Sequence, residues 1–532
     1  MTKMLPPNVA EPEFAAALDL LRAALGDDAV LTDSAELAEF RDPYAPPSAD
    51  DLLPSAVVRP GSVEDVQAVL AIANTYRLPL WTVSQGKNNG YGGPAPRVVG
   101  SVVVSLARMN RVLEINEELA YVVVEPGVRF FDLHDAVRAG GHRLIPSMPD
   151  LGWGSVIGNT LDHGFGYTPY GEHASSQCGM EVVLADGSVM RTGMGAMTDG
   201  VSWHVHKRGF GPSADGMFMQ SNLGIVTKIG MWLMPMPEVI LSCGLKAGSE
   251  DALEPIIDTL RELMLEGTIR NLPALANALT ISTAFTKRDQ WHEGAGPVPE
   301  EAIDRIVDEL GLGRWNGRFA IYGPDAVVDA QYERARTALE AIPGVELTAN
   351  RYPGDAPADA VHPADYAHTG IPTLDLLETL KWHGSERGGH LGFSPVAPLV
   401  GSHVRRLIDI VRPIMERHGL DCLGGLICTP RSVVYVFEFY YDALSEDHAA
   451  RVLAACRECI HAAAEAGYGE YRAHIDVMDL VADHYDFNDH ALMRFNERIK
   501  DALDPNGILS PGKQGIWPAS MRRSFVGRDD PR

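Results

Sequence analysis

No run of about 20 apolar residues, the length that crosses a bilayer as a helix, occurs anywhere in the 532-residue sequence. The opening Met-Thr-Lys-Met-Leu-Pro-Pro lacks the apolar core of a secretion signal, and the closing Asp-Asp-Pro-Arg is neither a lipid anchor nor a peroxisomal address. Basic residues are scarce: 45 Lys and Arg stand against 71 Asp and Glu, a net charge of −26. Such a surface repels phosphate backbones and excludes nucleic acid as a partner. Cysteine is sparse too, at six residues (Cys178, Cys243, Cys422, Cys428, Cys456 and Cys459). Cys456 and Cys459 look like a metal or redox pair, with His461 two residues on, but the surrounding 449–464 has a helical pattern and no second pair completes a zinc site. The spacing also misses haem attachment. No metal is expected, and the whole points to an acidic, cytoplasmic chain without a membrane segment.

What is present is an ordinary globular composition, 45% hydrophobic and 22% charged, long enough for two or more domains. Its most informative stretch is residues 84–93, Ser-Gln-Gly-Lys-Asn-Asn-Gly-Tyr-Gly-Gly. The glycines free the backbone to take positive φ and approach a ligand, and successive N–H groups in such a loop form a nest for phosphate oxygens. Tyr91 is a phenol that a phosphate cradle does not need. Before the loop come an apolar strand at 55–60, a helix from Ser62 to Asn74 and a second strand at 78–84. Ser62 caps the helix, Glu64 and Asp65 occupy its positive end, and Val63, Val66, Val69, Leu70 and Ala73 recur at helical spacing. This is a nucleotide-binding arrangement, yet not a Rossmann fingerprint, because the glycines follow the second strand. It is not a Walker loop either, since no Gly-Lys-Ser/Thr follows.

Three further stretches add to it. Residues 150–171 form a second glycine-rich loop system. Residues 221–229, Ser-Asn-Leu-Gly-Ile-Val-Thr-Lys-Ile, read as a turn and an alternating strand, and 499–513 as a helix end punctuated by Pro and Gly. Between them, 237 to about 469 alternates strands and amphipathic helices without such loops, which predicts an inserted second domain entered at Met234-Pro-Met-Pro237.

Gly-Lys-Asn-Asn-Gly-Tyr-Gly-Gly, Pro-Asp-Leu-Gly-Trp-Gly-Ser-Val, Gly-Gly-His-Leu-Gly-Phe-Ser-Pro, Gly-Tyr-Gly-Glu-Tyr-Arg and the tail Leu-Asp-Pro-Asn-Gly-Ile-Leu-Ser-Pro-Gly-Lys together resemble the vanillyl-alcohol oxidase flavoprotein family. The likeness is to its 4-phenol oxidising subgroup and, there, to the bacterial eugenol oxidase type. It runs over nearly the whole chain. It implies an α+β, two-domain FAD-linked oxidase: an FAD-binding domain from 1–236, a cap domain with a mixed sheet flanked by helices from 237–469, and a C-terminal segment, 470–532, that completes the FAD domain and the active site. Relatives form dimers or larger assemblies, so a homodimer is expected.

The resemblance assigns roles residue by residue. His390 matches the histidine that bonds covalently to the 8-methyl carbon of FAD; a related cresol-dehydrogenase branch uses tyrosine there. The remaining cofactor contacts are Ser84, Gln85, Gly86, Lys87, Asn88, Asn89, Gly90, Gly158, Asn159, Gly224, Ile225, Val226 and Lys513. Tyr91, Tyr471 and Arg472 match the trio that binds a substrate's phenolic oxygen, although an extended backbone would point the adjacent Tyr471 and Arg472 to opposite faces, so a turn is required. Asp150 matches the acid beside the flavin's reactive nitrogen. Tyr167, Glu378, Ser394 and Ile427 belong to the substrate pocket, Glu378 also assisting flavin attachment. Gly424 and Gly425 imply a cavity shaped differently from that of the relatives.

The implied reaction is oxidation of para-substituted phenols such as vanillyl alcohol, eugenol and 4-alkylphenols. A free phenol titrates near 10, so only about 0.1% is ionised at pH 7; a guanidinium and two hydroxyl donors favour the anion. Ionisation drives electron density to the benzylic carbon, hydride leaves to FAD, a para-quinone methide forms, and dioxygen takes the electrons as hydrogen peroxide. Asp150 steadies the methide or serves as base for water. Two rivals stand beside this reading: a dehydrogenase or hydroxylase passing electrons to a cytochrome, and a flavin-binding protein without turnover.

Overall fold

The local signals around the glycine loop translate directly into structure in the computed structural model, which describes residues 4–46 and 53–522. Ser62 Oγ accepts the Asp65 N–H at 3.1 Å and opens the helix Val63–Tyr76, whose Val66, Val69, Leu70 and Ala73 are buried. The strand Leu80–Val83 then delivers the chain into Ser84. It lies parallel to Val102–Ser105, which in turn lies parallel to Ala56–Val58, in a four-stranded sheet closed by the antiparallel Val30–Leu31.

A second, antiparallel sheet of five strands has Ile225–Trp232 at its centre, between Tyr121–Val124 and Gln177–Val183. The alternation expected for 221–229 is absent there. Six of the eight residues of Ile225–Trp232 are buried, because a central strand covered on both faces has no solvent side.

The inserted region builds an eight-stranded antiparallel sheet. Its order is Val345–Pro353, Val239–Ala247, Trp315–Gly323, Ala274–Asn277, Leu423–Cys428, Ser432–Asp442 and Gly388–Phe393, with Val396–Pro398 also on Ser432–Asp442. Strand periodicity gives this sheet two different faces. Leu241, Leu245, Phe319, Ile321, Leu426, Phe437 and Phe439 face one way, in one core with residues of the helices Leu253–Leu265, Asp325–Glu340, Gly401–Arg417 and Glu446–Glu465. Their neighbours one position along, Gly244, Arg318, Gly425, Ile427, Glu438 and Tyr440, line a cavity. Cys456 and Cys459 are buried on the Glu446–Glu465 helix. Among the described residues, no helix is long and apolar enough to cross a membrane.

The C-terminal segment returns to the first sheet. Leu80 donates its N–H to Ile508 O at 2.7 Å and accepts the Ser510 N–H at 2.8 Å. Asn222 Nδ2 holds the Ser510 and Ile516 carbonyls at 3.0 and 2.9 Å.

Candidate active site

Between the glycine loops and the open face of the large sheet lies a cavity of about 1310 Å3. Ser84, Gln85, Gly86, Lys87, Asn88, Asn89, Gly158, Asn159, Gly224, Ile225, Val226 and Lys513 all border it. Gly90 does not; it lies against His390 instead. At φ +77°, its absent Cβ would stand 2.7 Å from the imidazole Cε1, so only glycine lets the loop pass under the ring.

The donor set suits FAD. Asn88 Oδ1, Thr82 Oγ1 and Asn222 Oδ1 are buried without a hydrogen-bond partner, and all three residues border the cavity. Buried polar atoms of this kind call for a ligand or water partner. Gly158 packs so closely that a Cβ there would meet Ser84 Oγ at 2.4 Å.

Further along the cavity wall, Arg472 is held between two aromatic rings. Its guanidinium carbon is 4.8 Å from the Tyr91 ring centre and 5.4 Å from that of Tyr471, within cation–π range. Its Nε and Nη2 donate to Asp162 O at 3.1 and 2.9 Å. The turn required at Tyr471 exists: its N–H donates to Ser394 O at 3.3 Å, and Gln220 Nε2 holds its carbonyl at 2.7 Å. The Tyr91 hydroxyl and Ser394 Oγ are 3.0 Å apart. Burial pushes both tyrosines above the ordinary phenol range, so each keeps its proton and can donate. Burial opposes the charge on Arg472, but Tyr471, Tyr91 and Asp162 outweigh it and hold the guanidinium above its ordinary value. A fixed cation with two protonated phenols suits a planar oxyanion.

Asp150 has two partners. Arg318 Nη2 donates to its Oδ1 at 2.6 Å, and the Tyr167 hydroxyl donates to its Oδ2. The Arg318 guanidinium also lies 4.2 Å above the Tyr167 ring. Burial and then the Asp150 charge drive the Tyr167 phenol upward. Ile427 borders the same space.

His390 is engaged at both nitrogens. Nδ1 lies 3.0 Å from Asn89 Oδ1, and Nε2 contacts Glu438 Oε2. Glu378, expected beside it, borders the cavity, but its side chain is 53% exposed and pairs with Lys381 at 2.6 Å. The carboxylate on His390 is that of Glu438, because the 310 segment Asp375–Lys381 turns Glu378 outward.

Known proteins resemble this chain in sequence and in fold. The FAD binding domain family matches residues 54–193, and the C-terminal domain of FAD linked oxidases matches 434–514. A 4-cresol dehydrogenase (hydroxylating) flavoprotein subunit of Pseudomonas putida is 35% identical over 96% of this chain and 98% of its own. The solved 4-ethylphenol oxidase of Gulosibacter chungangensis, in complex with isoeugenol, is 41% identical, covers 97% of this chain and 100% of its own, and superposes with a TM-score of 0.93. A substrate-bound p-cresol methylhydroxylase gives 34%, 97%, 99% and 0.92. The chain belongs to the vanillyl-alcohol oxidase family. Within it, the chain falls in the 4-phenol oxidising subgroup and is an FAD-linked oxidoreductase.

Three residues of this vanillyl-alcohol-oxidase-type cavity escaped the sequence reading: Arg318, Glu438 and Asp162. Arg318 is the sole charge in Trp-Asn-Gly-Arg-Phe-Ala-Ile-Tyr-Gly, and Glu438 the sole charge before the final Asp442 of the strand Ser432–Asp442. A lone charge on an apolar strand was the available signal. Asp162 acts through its backbone carbonyl, for which a sequence carries no sign.

Proposed function

We propose that the protein is an oxidase of para-substituted phenols (4-alkylphenols, vanillyl alcohol and eugenol), with FAD tethered at His390 and dioxygen as electron acceptor. The observation that carries this reading is the Arg472 guanidinium set against the buried ring of Tyr91 and the half-buried ring of Tyr471 on the wall of a cavity of about 1310 Å3. Arg472 supplies permanent positive charge, and the two tyrosines donate hydrogen bonds to the phenolic oxygen. Each unit by which they lower the substrate's pKa contributes about 1.4 kcal/mol in favour of phenolate. The phenolate pushes electron density onto the para side chain and weakens its benzylic C–H bond. Ser394 orients the Tyr91 hydroxyl. FAD, when bound, supplies the two-electron acceptor chemistry.

Once hydride has left, the substrate is a neutral para-quinone methide. Asp150, held by Arg318 and Tyr167, is the carboxylate available to orient water towards the methide carbon or to take a proton from the side chain. Gly425 and Ile427 border the space and limit which side chain fits.

The second reading, electron transfer to a cytochrome in place of dioxygen, draws on the Pseudomonas putida relative, named as one flavoprotein subunit. Stopped-flow absorbance separates the two. A 4-alkylphenol added under argon bleaches the flavin in both. Admitting air restores the oxidised spectrum rapidly, with stoichiometric peroxide, in an oxidase; reoxidation slower than turnover with an artificial electron acceptor assigns the dehydrogenase. A flavin that no 4-hydroxybenzyl compound bleaches would refute both readings.

A further inference from the structure

We propose that Glu438 is the proton acceptor that enables His390 to form its covalent bond to the flavin. This rests on the reading that His390 is the tether, and it adds the group that activates it.

The strand pairing places the two side chains together. His390 lies opposite Tyr440 and Gly392 opposite Glu438, so His390 and Glu438 are diagonal neighbours on the cavity face, within reach of each other. Glu438 is a carboxylate largely enclosed by the sheet, at 15% side-chain exposure, and among the described residues its ion pair is with His390 alone. Asn89 fixes the other end of the ring: Nδ1 lies 3.0 Å from Asn89 Oδ1, and because an amide oxygen only accepts, this contact puts a proton on Nδ1. At the other nitrogen, Nε2 and a carboxylate oxygen of Glu438 can bond to each other only through a proton. Moving it onto the carboxylate exposes the Nε2 lone pair, and an imidazole nitrogen is a nucleophile only with that pair free. Both residues border the cavity that suits FAD.

The step balances as follows. Nε2 forms a C–N bond to the carbon of the 8-methyl group, the N–H proton passes to Glu438, and one methyl C–H proton is lost to solvent. The two electrons released pass to dioxygen, which leaves as hydrogen peroxide. The product weighs one protein plus one FAD less two hydrogens. Asn89 is the positioning residue, keeping the reactive lone pair on Nε2.

Full-length chain produced under riboflavin starvation, then given FAD in air, allows attachment to be timed by acid precipitation and intact mass, independently of turnover. Wild type should acquire the mass increment and keep its yellow colour in the acid pellet. Glu438→Gln should bind FAD reversibly but attach it about 100-fold more slowly, with a rate that climbs as pH rises, since hydroxide then takes the proton. Glu438→Asp should attach at an intermediate rate with the pH dependence of wild type, and it decides the matter if the glutamine variant fails to hold FAD. Attachment by Glu438→Gln at the wild-type rate, or slow attachment indifferent to pH, overturns the role of Glu438. A wild type that releases all its flavin in acid instead overturns the tether at His390, a different result from either.

Discussion

Removing the Arg472 guanidinium while keeping the bulk, as in Arg472→Met, should lower kcat/KM for a 4-alkylphenol by about 100- to 1000-fold, as loss of an oxyanion donor does. The residual rate should climb with pH towards about 10, where phenols ionise unaided. A variant whose activity stays level across that range would mean that Arg472 does not promote ionisation. Glu470, next to Tyr471, is a different kind of acid. Its Oε1 accepts the Ser394 N–H at 3.3 Å, while Oε2 is buried without a partner. Burial therefore raises its carboxyl well above the usual carboxylate range, and the folded protein retains the proton. The stability contributed by a raised acid is complete below the unfolded value, about 4.3, and is lost as pH rises through the folded value. Glu470→Gln carries no such loss. Its melting temperature relative to wild type should therefore rise from pH 4.5 to pH 8; a constant difference across that span would show that the carboxyl titrates normally.

At the scale of elements, the large sheet divides its work between its faces. The face with Phe319, Leu426 and Phe437 packs on helices, and the face with Arg318, Gly425 and Glu438 meets the cavity. Gly425 faces open space there: an added Cβ would find nothing nearer than Leu275 O at 3.7 Å. Gly425→Leu should fold with little loss of stability and fill that space, raising KM for eugenol several-fold more than KM for 4-cresol. Equal changes in the two would place the side-chain pocket elsewhere. How far the sequence could be read follows the same division. The capped helix Val63–Tyr76 and the glycine loop after it were legible because their causes lie within a few residues: a serine cap, helical spacing and positive-φ glycines. Arg318 and Glu438 were not, because which face of a strand meets the cavity is set by the helices packed on the opposite face. The bend that brings Tyr471 and Arg472 to one ligand depends on the Ser394 carbonyl, 77 positions earlier for Tyr471.

For the molecule as a whole, the C-terminal segment is a load carrier between distant parts of the chain. Lys500 and Asp504 form an ion pair at 2.7 Å with neither side chain exposed. Lys500 Nζ also donates to Asn222 O and Leu509 O at 2.8 and 2.6 Å, and Asp504 accepts the Ile508 and Leu509 N–H groups at 3.0 and 2.8 Å. These bonds fix the turn that sends Ile508–Ser510 alongside Leu80, one strand's length before the glycine loop, and that positions Lys513 on the cavity. A buried pair contributes little net stability when formed, but removing one member strands the other. Asp504→Ala should therefore destabilise the fold by about 3–5 kcal/mol, and Lys500→Met combined with Asp504→Leu by somewhat less, since no charge is stranded but the Ile508 and Leu509 N–H groups still lose their acceptor. Urea unfolding measured on both variants checks the order. Because the tail borders the cavity that suits FAD, Asp504→Ala should also weaken FAD retention before the large sheet unfolds, visible as flavin fluorescence released at lower urea than the loss of far-ultraviolet dichroism. In a protein tethered at His390, that release would appear instead as dequenching of flavin that stays bound to the chain.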